Sequence, residues 1–340
     1  MKAIGYASRI DHPDRLGLTT FEAPQPEPGP GELCVRVRAI ALNPVDAKML
    51  ARQPDRVEAP VILGWDAAGE VVAVGEGVRG FAPGDRVWYA GAVDRPGCWQ
   101  PLQCVDHRIV GHMPASLGFA EAAALPLTGL TAWEMLFDRL RIDATADIGE
   151  PLLVIGAAGG VGSVALQLAS RIAGLEVVAT AGSDAGRDWC RAMGAAEVID
   201  HNADLVAEYR ALGQPDPRWI FCITRATQHG AALAELLRPQ GAIGFIDDFA
   251  DAEAINALKR KSAALHWEFM FTRPLYGTED RDRQGRILER LARAVDQGVL
   301  RSTLHGEPQP FTLDNLVAGL EAVAAGHGIG KRVLVMEESE

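Results

Sequence analysis

Leu153-Val154-Ile155-Gly156-Ala157-Ala158-Gly159-Gly160-Val161-Gly162 is a short apolar run that breaks into a glycine-rich turn. The residues beyond it, Val164, Ala165, Leu168, Ala169 and Ile172, recur at helical spacing. The stretch therefore reads as a buried strand, a tight turn and an amphipathic helix. Glycines at Gly156, Gly159 and Gly160 leave the backbone bare enough for a pyrophosphate to approach. Its charge would then rest on the N–H groups that open the helix. Gly162 would let the helix pack closely on the strand. Ala157, Ala158 and Val161 complete the candidate dinucleotide-binding turn, in which the first GxGxxG glycine is replaced by Ala157.

Working outward, strands are expected at Leu152–Ile155, Val177–Thr180, Glu197–Ile199, Trp219–Ile223 and Ala242–Ile246. Helical stretches separate them, including Val161–Ala173, Ala231–Leu237 and Asp184–Met193, the last stopping at Gly194. This alternation predicts an α/β fold with a doubly wound parallel sheet. Thr131–Leu140 also reads as helix. Before Leu125 the pattern differs: Glu32–Ile40 alternates, Gly69–Val74 is a further strand candidate, and turn residues are dense from Pro24 to Gly31. Short strands with frequent turns predict a small β-rich barrel or sandwich. After Lys261 the α/β rhythm breaks into an aromatic strand candidate, His266–Phe271, a charged amphipathic helix, Arg283–Val295, and a final strand, Arg332–Met336.

The nature of the dinucleotide turns on the second strand. An NAD site usually carries an acid about 20 residues beyond the glycines. The C-terminal end of Val177–Thr180 has none, and Ser183 and Arg187 follow instead. A hydroxyl and a guanidinium suit a 2′-phosphate, which predicts NADPH. A helix cap followed by a surface arginine is the competing explanation.

Composition narrows the class. The 340 residues are 48% hydrophobic and 23% charged, with a formal net charge of −12. That is enough chain for two globular domains, and the negative field disfavours nucleic acid as a partner. Lys259, Arg260 and Lys261 read as a solvated helix end. Five cysteines, an odd number, read as reduced thiols in the cytoplasm. The start, Met1-Lys2-Ala3-Ile4-Gly5, does not read as a signal peptide, and no apolar run is long enough to suggest a membrane partner.

Several segments then point to a family: the Gly156–Gly162 turn, Asn43-Pro44-Val45-Asp46, Gly64-Trp65-Asp66-Ala67-Ala68-Gly69, Pro83–Val87 and Thr128-Gly129-Leu130-Thr131-Ala132. In this order they resemble the medium-chain dehydrogenase/reductases, in the quinone oxidoreductase and zeta-crystallin branch. His266–Phe271 and Ile246-Asp247-Asp248 resemble the subgroup of zinc-type alcohol dehydrogenase-like proteins. The resemblance implies a GroES-like catalytic domain over 1–125, a Rossmann NADPH-binding domain over 126–265 and a return to the catalytic domain over 266–340. It also implies an active site in the cleft between domains, and a homodimer whose aromatic sheet edges could pair. Asn43 and Thr128 would lie near the nicotinamide. The backbone around Ile246 and Phe271 would line the cofactor. His201 stands where relatives often place a tyrosine near the adenosine phosphate.

The subgroup's name includes zinc, but the positions matching the catalytic ligands are Asn43, Trp65 and Ala124. None is a competent ligand, so no metal is expected. Cys98 and Cys104 are too few for a structural zinc lobe. His107 and His112 near Cys104 are the one cluster worth testing. Without a Lewis acid, reduction of an already activated acceptor, a quinone or an α,β-unsaturated carbonyl, is the expected chemistry. The Asn43 amide would face the developing oxyanion and Trp65 would form an apolar wall. Asp46 would relay a proton or, equally, cap the following helix. A dinucleotide-binding sensor or structural protein with little catalysis, and a zinc-type alcohol dehydrogenase, remain the alternatives.

Overall fold

The computed structural model describes residues 1–326 and 328–337. The chain divides into two compact units, Met1–Leu127 with Phe271–Glu340, and Thr128–Met270. In the first unit the chain runs through β1 (Lys2–Ser8), β2 (Leu18–Glu22), β3 (Glu32–Ala41), α1 (Pro44–Ala51), β4 (Arg56–Val61), β5 (Ala67–Val74), β6 (Arg86–Tyr89), β7 (Leu102–Asp106), β8 (Val110–His112) and α2 (Phe119–Ala123). Helix α3 (Pro126–Trp133) crosses from this unit into the next.

The second unit holds β9 (Pro151–Ile155), α4 (Gly160–Gln167), β10 (Glu176–Thr180), α5 (Asp184–Met193), β11 (Glu197–Ile199), α6 (Leu205–Ala211), β12 (Trp219–Cys222), α7 (Ala226–Leu236), β13 (Ala242–Phe245), α8 (Ala252–Arg260) and β14 (Ala264–Trp267). The returning segment adds α9 (Thr272–Tyr276), α10 (Arg283–Asp296), β15 (Gln309–Pro310), α11 (Leu313–Ala324) and β16 (Val333–Val335) to the first unit.

The second unit is a parallel sheet in the order β11-β10-β9-β12-β13-β14. The order reverses between β9 and β12, which is the Rossmann arrangement. All five residues of β9 are buried, as expected of a central strand covered on both faces. Ile155, Ile220 and Phe245 from the sheet meet Tyr209, Leu233 and Leu258 from α6, α7 and α8 in one core. The helix after the glycine turn widens into a π-helical stretch, Leu168–Ile172. There the Ser170 hydroxyl donates to Leu166 O at 2.7 Å, and such back-bonding loosens the helical ladder. A second π-helical stretch, Glu134–Arg139, continues α3 where a plain helix was expected.

Two sequence expectations need correction here. A boundary after residue 265 would cut β14, which pairs in parallel with β13, so the Rossmann unit extends through Met270. Lys261 is not part of a freely solvated end: its ammonium donates to Glu235 O (2.7 Å) and Leu237 O (2.6 Å), closing the C-terminus of α7.

The first unit carries a seven-stranded sheet running β15-β16-β3-β5-β6-β8, with β7 paired to β3, and a smaller sheet β2-β1-β4. Strand β3 is more buried than its alternation suggests; Leu33, Cys34 and Val35 are all covered, because β5 flanks it on one side and β7 and β16 on the other. It delivers Asn43 to the start of α1. Among the described residues no helix is long and apolar enough to cross a membrane.

Candidate active site

In the first unit, four polar side chains from distant parts of the sequence meet in the interior. Asn43, Asp46, Asp66 and Lys331 are each no more than 3% exposed. Asn43 caps α1, and its backbone N–H donates to Asp46 Oδ2 at 2.7 Å. Its amide Nδ2 donates to Ala41 O (3.2 Å) and to Asp66 Oδ2 (3.1 Å). The Lys331 ammonium, just before β16, donates to Leu42 O at 2.7 Å and to Asn43 Oδ1, and lies 3.1 Å from Asp66 Oδ2. Asp66 Oδ1 accepts from Leu127 N at 3.1 Å.

Burial pushes the Asp66 carboxyl up and the Lys331 ammonium down, each opposed by the other's charge. Two acids against one ammonium leave one negative charge uncompensated. Asp46 absorbs that imbalance: burial pushes its carboxyl up to about 7, against hydrogen bonding from Asn43 and the attraction of Lys331. Both hydrogens of the Asn43 amide are engaged, with Ala41 O and Asp66, and its oxygen accepts from Lys331, so Asn43 braces the buried charges. Asp46 thus caps α1 with a carboxyl raised toward neutral pH.

Trp65 is 1% exposed; its indole donates to Ala92 O at 2.9 Å, and Phe271 meets it edge-on at 6.2 Å. Phe271, expected along the cofactor, thus belongs to the first unit, beside Trp65. Asp66 and Lys331 were not singled out from the sequence. A lone acid inside the apolar run Leu63–Gly69 was a signal for the first; nothing local marks the second.

The residues do not fit a catalytic zinc. The Asn43 amide oxygen is taken by an ammonium, the Trp65 indole offers no lone pair, and Ala124 has no donor side chain. Among the described residues no group of three or more His, Cys, Asp or Glu is arranged to hold a metal ion. His107 Nδ1 instead meets Gly31 O at 2.7 Å, and His112 Nδ1 meets Glu289 Oε1 at 2.8 Å.

In the second unit the glycine turn lies at the C-terminal end of β9. Gly156 has φ +78°, a left-handed conformation that disfavours a side chain, and its N–H donates to Thr180 Oγ1 at 3.1 Å. A Cβ on Gly162 would lie 2.3 Å from Ala157 O, so the helix start packs directly on the turn. Gly159 is the N-cap of α4 and offers no side-chain cap, which leaves the opening N–H groups of Gly160, Val161 and Gly162 to an external acceptor. Ala157 and Ala158 complete the curve. These features fit a dinucleotide pyrophosphate.

At the ends of β10 and β11, Ser183 accepts from Gly186 N at 3.2 Å as the cap of α5. Arg187 lies between Asp184 (3.4 Å) and Asp200 (3.7 Å). His201 approaches Thr180 Oγ1 at 3.3 Å; burial, and the nearby Arg225 and Arg187, hold its imidazole below the usual range despite Asp200. Arg225, at the start of α7, is a cation the sequence reading passed over. Thr128 is buried at the head of the unit, and Ile246 is half-buried just after β13.

Comparison with known proteins agrees with this architecture. Residues 29–134 match the alcohol dehydrogenase GroES-like domain family, and residues 160–258 match the zinc-binding dehydrogenase family. A zinc-type alcohol dehydrogenase-like protein of Staphylococcus aureus (strain MRSA252) is 36% identical over 336 residues, covering 98% of this chain and 99% of that protein. The chain belongs to the medium-chain dehydrogenase/reductase superfamily, among the zinc-type alcohol dehydrogenase-like proteins. A Rhizobium etli CFN 42 crystal structure, described as a candidate zinc-dependent alcohol dehydrogenase, superposes with a TM-score of 0.92 at 42% identity, covering 100% of this chain and 98% of that one. The NADPH complex of Escherichia coli quinone oxidoreductase shares the fold, with a TM-score of 0.80 at 23% identity over 98% of this chain and 100% of that one. The chain is therefore a dinucleotide-binding oxidoreductase by family.

Proposed function

We propose that this oxidoreductase uses NADPH to reduce a quinone or an α,β-unsaturated carbonyl, without catalytic zinc. The observation that carries this reading is the buried Asn43–Asp66–Lys331 cluster: the Lys331 ammonium already takes the amide oxygen of Asn43, one of the three positions that the family resemblance matches to zinc ligands. When bound, NADPH would supply a hydride. Delocalisation in a quinone or enone spreads the incoming charge, so the acceptor needs little polarisation from the protein. The glycine turn would hold the pyrophosphate, and Ser183 with Arg187 the 2′-phosphate, with Arg225 and His201 close by. Thr128 would lie near the nicotinamide, and the backbone around Ile246 would line the cofactor. Trp65 and Phe271 offer an apolar wall that excludes water, and Asp46 stores a proton in the same interior.

We place the protein in the cytoplasm as a homodimer. The test is cofactor oxidation with a panel of quinones, enones and simple alcohols, using both NADPH and NADH. Turnover of quinones or enones with NADPH is expected. Replacing Arg187 with Ala should weaken NADPH selectively, by about 1–3 kcal/mol if the guanidinium meets the phosphate. Efficient alcohol oxidation with no quinone or enone reduction would overturn the reaction class.

A further inference from the structure

Cys34 on β3 and Cys104 on β7 are direct cross-strand partners in an antiparallel pair. The backbone bonds Val37 N to Pro101 O (2.9 Å) and His107 N to Gly31 O (3.0 Å) mark the hydrogen-bonded positions of this ladder. Both lie an odd number of residues from the Cys34–Cys104 pair, which is therefore a non-hydrogen-bonded pair. Such pairs are the narrow ones, with Cα atoms about 4.5 Å apart. That separation falls inside the range a disulfide spans, about 4.4–6.8 Å.

Cross-strand partners present their side chains on one face of the ladder; Cys34 Sγ donates to Pro26 O at 3.9 Å, and the proximity of the two thiols holds Cys34 below the usual thiol range and pushes Cys104 above it. Burial pushes the other three thiols up, Cys190 and Cys222 to about 12. Cys34 is covered, whereas Cys104 is half-exposed beside the Arg95–Glu32 ion pair. Solvent thus reaches the pair from one side.

We propose that Cys34 and Cys104 form a reversible dithiol–disulfide couple, closed across β3 and β7 by a peroxide. Oxidation of one thiol to a sulfenic acid releases a first water. The neighbouring sulfur then displaces the sulfenic hydroxyl, forming the S–S bond and releasing a second water. The dithiol loses two electrons and two protons, and one peroxide is reduced to two waters. In a reducing compartment the pair rests as thiols, so the disulfide records oxidant exposure. Cys98 is the competing partner, because it, like Cys34 and Cys104, lies near enough to Tyr89 to push its phenol up.

The test is to treat the fully reduced protein with hydrogen peroxide and map its peptides by mass spectrometry. The expected product has lost two hydrogens, joins the Cys34 and Cys104 peptides, and reverts with dithiothreitol. Cys34→Ser and Cys104→Ser should each abolish the link, with thermal melting to check that each variant is folded. A Cys98 link, separate oxygen adducts on Cys34 and Cys104, or an unchanged thiol count in excess peroxide would each overturn the proposal.

Discussion

Lys331 shows how one side chain can set the chemistry of a site. Its ammonium is buried and satisfied by a backbone carbonyl, an amide oxygen and a carboxylate. Removing one partner of such a pair strands the other charge, so Lys331→Met should cost about 3–5 kcal/mol in urea unfolding. A loss below 1 kcal/mol would mean that Asp66 finds relief elsewhere. Asp46 makes a prediction about pH. Its carboxyl is raised to about 7 in the folded protein. Between the ordinary carboxylate range and pH 7 the folded state binds a proton that the unfolded chain does not. The resulting stabilisation is complete below the unfolded value and is lost as pH rises through about 7. Stability relative to Asp46→Asn should therefore fall between about pH 4 and pH 7, by a few kcal/mol at most, in paired melting curves; parallel curves would show that Asp46 is ionised throughout.

At the scale of elements, the β9–turn–α4 unit separates packing from binding. A methyl on Gly162 would strike Ala157 backbone atoms, which cannot move without opening the turn. Gly162→Ala should therefore destabilise the protein by about 1–3 kcal/mol and weaken dinucleotide binding. At Gly159 the nearest atom to an added Cβ is 3.9 Å away and φ is −75°, so Gly159→Ala should leave the melting temperature nearly unchanged. Any loss of dinucleotide affinity there, measured by fluorescence titration, then reports on the approach of the pyrophosphate itself. Equal destabilisation by both changes would show that the turn is rigid along its whole length.

For the whole molecule, β14 is the end strand of the parallel sheet; Trp267, its last residue, and Phe269 just beyond it are 51% and 47% exposed. An uncovered aromatic edge invites pairing with a second copy. Light scattering should find a dimer, and Trp267→Lys should shift it toward monomer without unfolding it. A monomeric parent protein at micromolar concentration would remove this edge as a dimer contact.

The Rossmann unit was largely legible because its signals are local. Asp184–Met193 and Glu197–Ile199 were read with the bounds the structure has, since helical period, a serine cap and a terminal glycine all act within a few residues. The glycine turn was legible for the same reason: its conformation follows from residues that touch each other along the chain. β14 was misassigned because an aromatic strand looks the same in either unit; its parallel pairing with β13 decides where it belongs. The candidate site was half legible. Asn43, Asp46 and Trp65 came from motifs, but Lys331 stands 288 residues from Asn43. Whether the Asn43 amide faces a substrate or braces a buried ammonium depends on which groups compete for its two hydrogens and its oxygen. The sequence by itself determined the family and the strand, glycine turn and helix that open its second unit. The tertiary structure decided how the buried charges are compensated, because that balance is a sum over groups that folding alone brings within a few ångströms.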